Sequence, residues 1–203
     1  MIKTTLQPEF FDEDTLKFFK EYCQNEIEKR HVVTIDQDSS INTEVSILQE
    51  NVGRLTMHLN VHKIPESAYQ KVFWYAHSID PDMIPNTFMY VRYSKKYGTP
   101  KLLPHVDNSN TDFTIDCQID STMPWTIVIE NEPYILNNND ALIFDSCKNV
   151  HWREPIIFDQ NDYIDMAFFH FIHKDKPNNF KKRATIKGDY IFNYYKKTNE
   201  LFN

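Results

Sequence analysis

Between residues 87 and 172 the chain is built from short runs, "TFMYVRYS", "FTIDCQI", "WTIVIE", "ALIFDS" and the longer "YIDMAFFHFI", with Asn, Asp and Pro clusters between them. Runs rich in β-branched and aromatic residues, divided by turn formers at short intervals, read as strands of a sandwich or barrel. Few other folds accept that pattern. Gly53, Gly98 and Gly188 are the only glycines, so neither a phosphate-cradling loop nor a dinucleotide fingerprint is available. The left-handed positions of turns then fall to Asn-rich stretches such as "NNND".

The first 85 residues have a different period. After Asp12 and Asp14, Leu16, Phe19, Cys23 and Ile27 recur at helical spacing, which predicts a helix over 13–30; a second follows Pro65 through Ala68, Val72, Phe73, Ala76 and Ile79. Between them "GRLTMHLNVH" alternates Leu55, Met57, Leu59 and Val61 with polar residues, the mark of a half-buried strand. With 203 residues and 41% hydrophobic content, one core suffices. The expected organisation is a single domain over 1–203: a helical support region with a strand at 1–85, a β core at 86–173 and a basic extension at 174–203.

Charge excludes some partners. Residues 173–203 carry eight Lys or Arg and three Asp or Glu, a net +5, which leaves −12 on residues 1–172 out of the total of −7. An acidic body disfavours nucleic acid, whose affinity is drawn largely from Lys and Arg on phosphates. No apolar run long enough to span a bilayer is present, so no membrane partner is expected. Cys23, Cys117 and Cys147, odd in number and widely spaced, fit reduced thiols and a cytoplasmic location.

The candidate chemistry starts with a His-x-Asp pair. Two exist, His105–Asp107 and His173–Asp175, and a lone match means little. On an extended segment the side chains of His105 and Asp107 lie on one face about 7 Å apart, and His151 follows at the start of another extended segment. No histidine follows His173, which is expected to be solvated. Two imidazoles and one carboxylate leave adjacent positions of a metal open, the arrangement suited to non-haem Fe(II); structural zinc would want a fourth protein ligand. His58 and His62, about 13 Å apart along a strand, are expected to be surface or half-buried polar residues.

The runs "YVRYSKKYGTPKLLPHVDNSN", "NNNDALIFDSCKNVHWREP" and "YIDMAFFHFI", in that order, resemble the Fe(II)- and 2-oxoglutarate-dependent oxygenases of the prolyl-hydroxylase-like branch over about residues 86–173. The resemblance implies a double-stranded β-helix, a jelly-roll or cupin-like barrel, mainly β with flanking helices. It implies Fe(II) held by His105, Asp107 and His151, with 2-oxoglutarate and O₂ as cosubstrates, and hydroxylation of a proline-like protein or peptide residue or of a small metabolite. That branch usually anchors 2-oxoglutarate through a cation on the final strand, where Asp162-Tyr163 stand here. Arg153, two residues after His151, is the substitute, and Tyr93 resembles the family tyrosine that hydrogen-bonds the same carboxylate. Met166, Phe168 and Trp152 are expected to wall the pocket. The rival is a non-catalytic metal-binding β-barrel that keeps the triad without the cosubstrate anchor. Oligomeric state is not legible.

Overall fold

The structure is a computed structural model that describes residues 2–34, 44–107, 111–176, 194, 196, 197 and 200. The first helical segment runs from α1 (Glu13–Phe18) through a π-helical turn (Phe19–Cys23) into α2 (Gln24–Lys29). Asp12 caps it by accepting the Thr15 amide at 2.7 Å, as a short polar N-cap does. Its buried residues are Thr15, Phe19, Cys23 and Ile27, a strict i+4 series. The wider π turn keeps that series on one face, and Leu16 drops out to half-buried. The second helix, α3 (Glu66–Ile79), buries Ala68, Val72 and Ala76.

The strands are β1 (Thr5–Gln7), β2 (His31–Thr34), β3 (Val45–Gln49), β4 (Arg54–His58), β5 (Met83–Ser94), β6 (Phe113–Ser121), β7 (Ile127–Ile129), β8 (Glu132–Tyr134), β9 (Ala141–Phe144), β10 (His151–Arg153) and β11 (Tyr163–His173). They form an eight-stranded sheet in the order β1-β9-β6-β11-β5-β4-β3-β2 and a three-stranded sheet β10-β7-β8. All pairings are antiparallel except β2 with β3. The expected strand "GRLTMHLNVH" is shorter than its alternation suggests. It ends at His58, because Asn60 accepts the His62 amide and starts a 3-10 turn over Val61–Lys63. Asn131 and Asn139 take positive φ, as anticipated for the Asn-rich turns, and Glu130 joins Asn131 there. Paired positive φ at a two-residue hairpin loop matches the twist of β7 and β8.

Side-chain alternation gives the large sheet two buried faces. One, with Leu55, Met57, Phe88, Tyr90, Ile115, Ala167, Phe169 and Phe171, packs on the helices through Phe19, Cys23, Ile27 and Val72. The other, with Val91, Tyr93, Leu142, Phe144, Ile164 and Met166, meets Trp125, Ile127 and Ile129 from the small sheet. The candidate site lies between the sheets. Gly53 at φ +59 lets the β3–β4 turn press on Pro100, whose backbone a Cβ would overlap. That contact fixes the segment leading to His105. Among the described residues no helix is long and apolar enough to cross a membrane. Of the basic extension, residues 177–193 lie outside the described residues; Tyr194 packs on Val128 and Trp152, on the outer side of the small sheet.

Candidate metal centre

His105 and His151 are brought together by backbone, not by chance. The His105 amide donates to the His151 carbonyl at 3.0 Å and the His151 amide returns the bond at 2.8 Å, a reciprocal antiparallel pair that sets the residues directly opposite each other. The Asp107 amide is held by the Ser146 carbonyl at 2.8 Å. The ring centroids of the two histidines are 4.2 Å apart. Their Nε2 atoms stand 3.8 and 3.9 Å from Asp107 Oδ1, and one donor atom from each residue falls within 4.8 Å of the other two.

The outward nitrogens decide what these rings can do. His105 Nδ1 lies 2.7 Å from the Leu103 carbonyl and His151 Nδ1 lies 3.0 Å from the Asn149 carbonyl. A carbonyl only accepts, so Nδ1 carries hydrogen on both rings and each Nε2 presents a lone pair toward Asp107. Burial, reinforced by His151, drives His105 down to about pKa 3. Burial pushes Asp107 the other way, but His151, His170, His105 and Ser146 outweigh it and hold the carboxyl below its ordinary range. Imidazole lone pairs beside a carboxylate form the donor set of a divalent metal.

A second group, Asp80, Asp82 and His173, is equally compact, yet its hydrogen bonds are reversed. His173 Nδ1 accepts the Asp175 amide at 3.2 Å, so Nε2 carries the proton and faces Asp80 and Asp82, each at 3.8 Å. Lys174 also pairs with Asp82 at 2.8 Å. This is an ionic cluster without a free lone pair, and in it His173 is half-buried rather than solvated as expected.

Arg153 shares the inward face of β10 with His151 and is 2% exposed. Its Nη1 donates to the Trp125 carbonyl, its guanidinium lies 5.1 Å from the Trp125 ring centroid, and Nη2 lies 3.4 Å from Met166 Sδ. Among the described residues no carboxylate lies within 4 Å of it. Burial lowers its pKa, against Tyr93 and Asp116. Tyr93 packs edge-on against Trp125, with centroids 5.2 Å apart. Met166 and Phe168 do face this interior. Trp152, expected to wall the pocket, does not: it alternates with His151 and Arg153 and points to the outer cluster with Val128 and Tyr194. Asp162 is spent on a turn, accepting the Asp159 amide at 2.7 Å and the Thr122 hydroxyl at 3.1 Å.

Several interior residues escape the sequence pattern. Arg54, Thr56 and His58 pair with Tyr93, Val91 and Met89 and so share their inward face. His58 is 8% exposed, more buried than the surface or half-buried residue expected. His170 pairs with Thr87 and Thr114 on the same side, and its electrostatic neighbours are Asp107, His151 and Arg54. Asp116, opposite Phe168 on β6, accepts the Thr114 hydroxyl at 2.5 Å. Burial lifts it to about pKa 7, with Thr114 opposing and Asp107 assisting. The available signal was the polar half of β4's alternation, which reads the same whether it faces water or a polar cavity.

Two opposed sheets with such a donor set at one end define a metalloprotein-like double-stranded β-helix. No protein-family model matches the sequence, and no curated protein matches it. Solved structures do. The chain is similar to a prolyl hydroxylase from Trichoplax adhaerens in complex with a hypoxia inducible factor peptide fragment (TM-score 0.54, 12% identity, 83% of each chain). It is also similar to the non-heme alpha ketoglutarate dependent epimerase SnoN from nogalamycin biosynthesis (0.58, 8%, 92% of this chain and 91% of that one). The viral collagen prolyl hydroxylase of Paramecium Bursaria Chlorella virus-1 matches 83% of this chain and 94% of its own (0.56, 6%). The fold is that of the Fe(II)- and 2-oxoglutarate-dependent oxygenases, the prolyl-hydroxylase-like branch included.

Proposed function

We propose that the chain is a single-domain Fe(II)- and 2-oxoglutarate-dependent dioxygenase that hydroxylates a C–H bond of a peptide residue, proline-like, or of a small metabolite. His105, Asp107 and His151 would hold the iron through the two Nε2 lone pairs and the Asp107 carboxylate. Bound there, iron supplies the oxidative chemistry in which 2-oxoglutarate and O₂ give succinate and CO₂ and one oxygen atom enters the substrate C–H bond.

The observation that carries this reading over an inert metal-binding barrel is Arg153. A guanidinium 2% exposed, with no carboxylate within 4 Å among the described residues, sits two positions from a metal-ligand histidine. Buried charges are normally paired, so the pocket favours an anionic occupant that reaches toward β10. The distal carboxylate of 2-oxoglutarate fits, offering the paired acceptors that a planar fork selects. Tyr93 lines the same pocket and would add a hydrogen bond; Met166 and Trp125 keep it dry. The Leu103 and Asn149 carbonyls hold the ligand tautomers, so no proton need leave Nε2 when metal binds. Free Cys23, Cys117 and Cys147 support a reducing compartment, the cytoplasm.

The test is succinate release from 2-oxoglutarate by the iron-loaded protein under O₂, with and without candidate substrates. The parent should release succinate, whereas His151→Ala and Arg153→Ala should not. A parent that binds metal but not 2-oxoglutarate would leave the metal-binding barrel as the function.

A further inference from the structure

The pocket carries a second set of polar groups that neither metal nor cosubstrate uses. On the inward face of β4, Thr56 Oγ1 and His58 Nδ1 are both buried and without a hydrogen-bond partner. Buried polar atoms in that condition are costly and are ordinarily satisfied. Next to them stands Arg54, half-buried, its Nε bound to Gln49 Oε1 at 2.5 Å and its Nη1 donating to the Tyr93 hydroxyl at 3.1 Å. It has no ion pair among the described residues, and its charge is felt at both His105 and His170. His170 faces the triad from β11, on the far side of β5 from β4.

We propose that Arg54, Thr56, His58 and His170 form the substrate subsite of the metal centre, and that it takes a small molecule bearing a carboxylate and a second polar group, an amino or hydroxy acid in class. The inference rests on the oxygenase reading. Each half of it has its own support. The carboxylate follows from a second guanidinium on the inward face: Arg153, 2% exposed, suits the cosubstrate, while half-buried Arg54 keeps contact with solvent and suits what enters last. The second polar group follows from Thr56 and His58, whose orphaned atoms lie further along the same face. Burial, with His170 assisting, lowers the His58 pKa. A neutral imidazole offers one donor and one acceptor, and the unpartnered Nδ1 of His58 is the one left open on this face. An internal proline-like residue of a peptide has no carboxylate to give Arg54, so a free small acid is the better fit than such a residue.

The experiment uses the full chain loaded with Mn(II), which stands in for iron without turnover, and with 2-oxoglutarate. Free L-amino acids and small hydroxy acids are each offered beside the matching primary amide, and binding near the metal is read as paramagnetic broadening of the ligand's NMR signals. His151→Ala supplies the background from free Mn(II). The parent should broaden at least one acid about tenfold more strongly than its amide, the size expected of a charge-assisted contact. Arg54→Met should abolish that preference, and Arg54→Lys should restore part of it. Amides that bind as well as acids, no acid binding at all, or an undiminished preference in Arg54→Met would overturn the proposal. Loss of 2-oxoglutarate binding in Arg54→Met would also overturn it, making Arg54 the cosubstrate anchor. Failure of the parent to bind 2-oxoglutarate would remove the oxygenase reading itself, and is seen before any acid is added.

Discussion

Arg153 is a place where stability and function should pull in opposite directions, and Arg153→Met separates them. Methionine has similar length, fits beside Met166 and Trp125, and carries no charge. In the parent the guanidinium gains one hydrogen bond to the Trp125 carbonyl and a ring contact at 5.1 Å, the latter contributing about 1–2 kcal/mol. Against this stands the cost of burying an unpaired charge, several kcal/mol after relaxation. The variant sheds that cost but leaves the Trp125 carbonyl short of a donor, a loss of about 1–3 kcal/mol. The balance lies between about zero and 2 kcal/mol in favour of the variant, or up to roughly 8 °C in melting temperature for a chain of this length. Saturating 2-oxoglutarate at about a hundred times its dissociation constant should add ~2.7 kcal/mol to the parent, a rise of roughly 5–10 °C. The variant should show almost none of that rise. Calorimetry or dye-monitored melting of Mn(II)-loaded protein, with and without 2-oxoglutarate, reads both quantities. A variant that melts more than about 5 °C below the parent without cosubstrate would make Arg153 structural. A full cosubstrate shift in the variant would place the anchor elsewhere.

Three further outcomes follow from the same structure. His151→Ala should lose Mn(II) or Fe(II) in equilibrium dialysis while His173→Ala keeps it, because only the first ring offers a lone pair; equal loss in both would show the tautomer reasoning to be wrong. Asp165 is wholly buried and accepts Arg92 Nε and Nη2, each at 2.7 Å, and Gln24 at 2.9 Å. Asp165→Asn should therefore cost about 3–5 kcal/mol in urea unfolding, and a change under about 1 kcal/mol would mean that the pair is solvated. Asp116, raised to about pKa 7 in the folded state, holds its proton in the fold at pH values where the unfolded chain has lost it. Its contribution therefore falls as pH rises from about 4 to 7. In metal-free protein Asp116→Asn should stabilise more at pH 8 than at pH 5; an equal gain at both would refute the shift.

What could be read in advance and what could not divide along a physical line. The five runs from residue 87 onward become β5, β6, β7, β9 and β11, because a strand buried on both faces must be apolar or aromatic along most of its length. His105, Asp107 and His151 were legible too, since face-sharing at i, i+2 is a property of extended backbone wherever it sits. The two edge strands β1 and β2 were not: Thr5–Gln7 and His31–Thr34 are largely exposed and owe their extended form to the neighbour they pair with. Asp162 and Trp152 failed for a related reason. Sequence proximity to a strand or a ligand does not say on which side of the backbone a side chain leaves, and one residue of phase sends it to a turn or to the outer face. β4 gives the most general lesson. Its polar residues, Arg54, Thr56 and His58, alternate with Leu55 and Met57 as they would on a strand with one wet face. In a barrel that holds a polar centre the "wet" side is the cavity, and hydrophobic alternation cannot distinguish bulk water from an interior that is waiting for a ligand. The distinction is energetic: a side chain facing water has its hydrogen bonds supplied, whereas Thr56 Oγ1 and His58 Nδ1 are buried without any. On the proposed reading, unmet polar demand inside the fold, together with a buried cation such as Arg153 that has no carboxylate within 4 Å among the described residues, marks a binding surface that the sequence pattern alone would assign to the exterior.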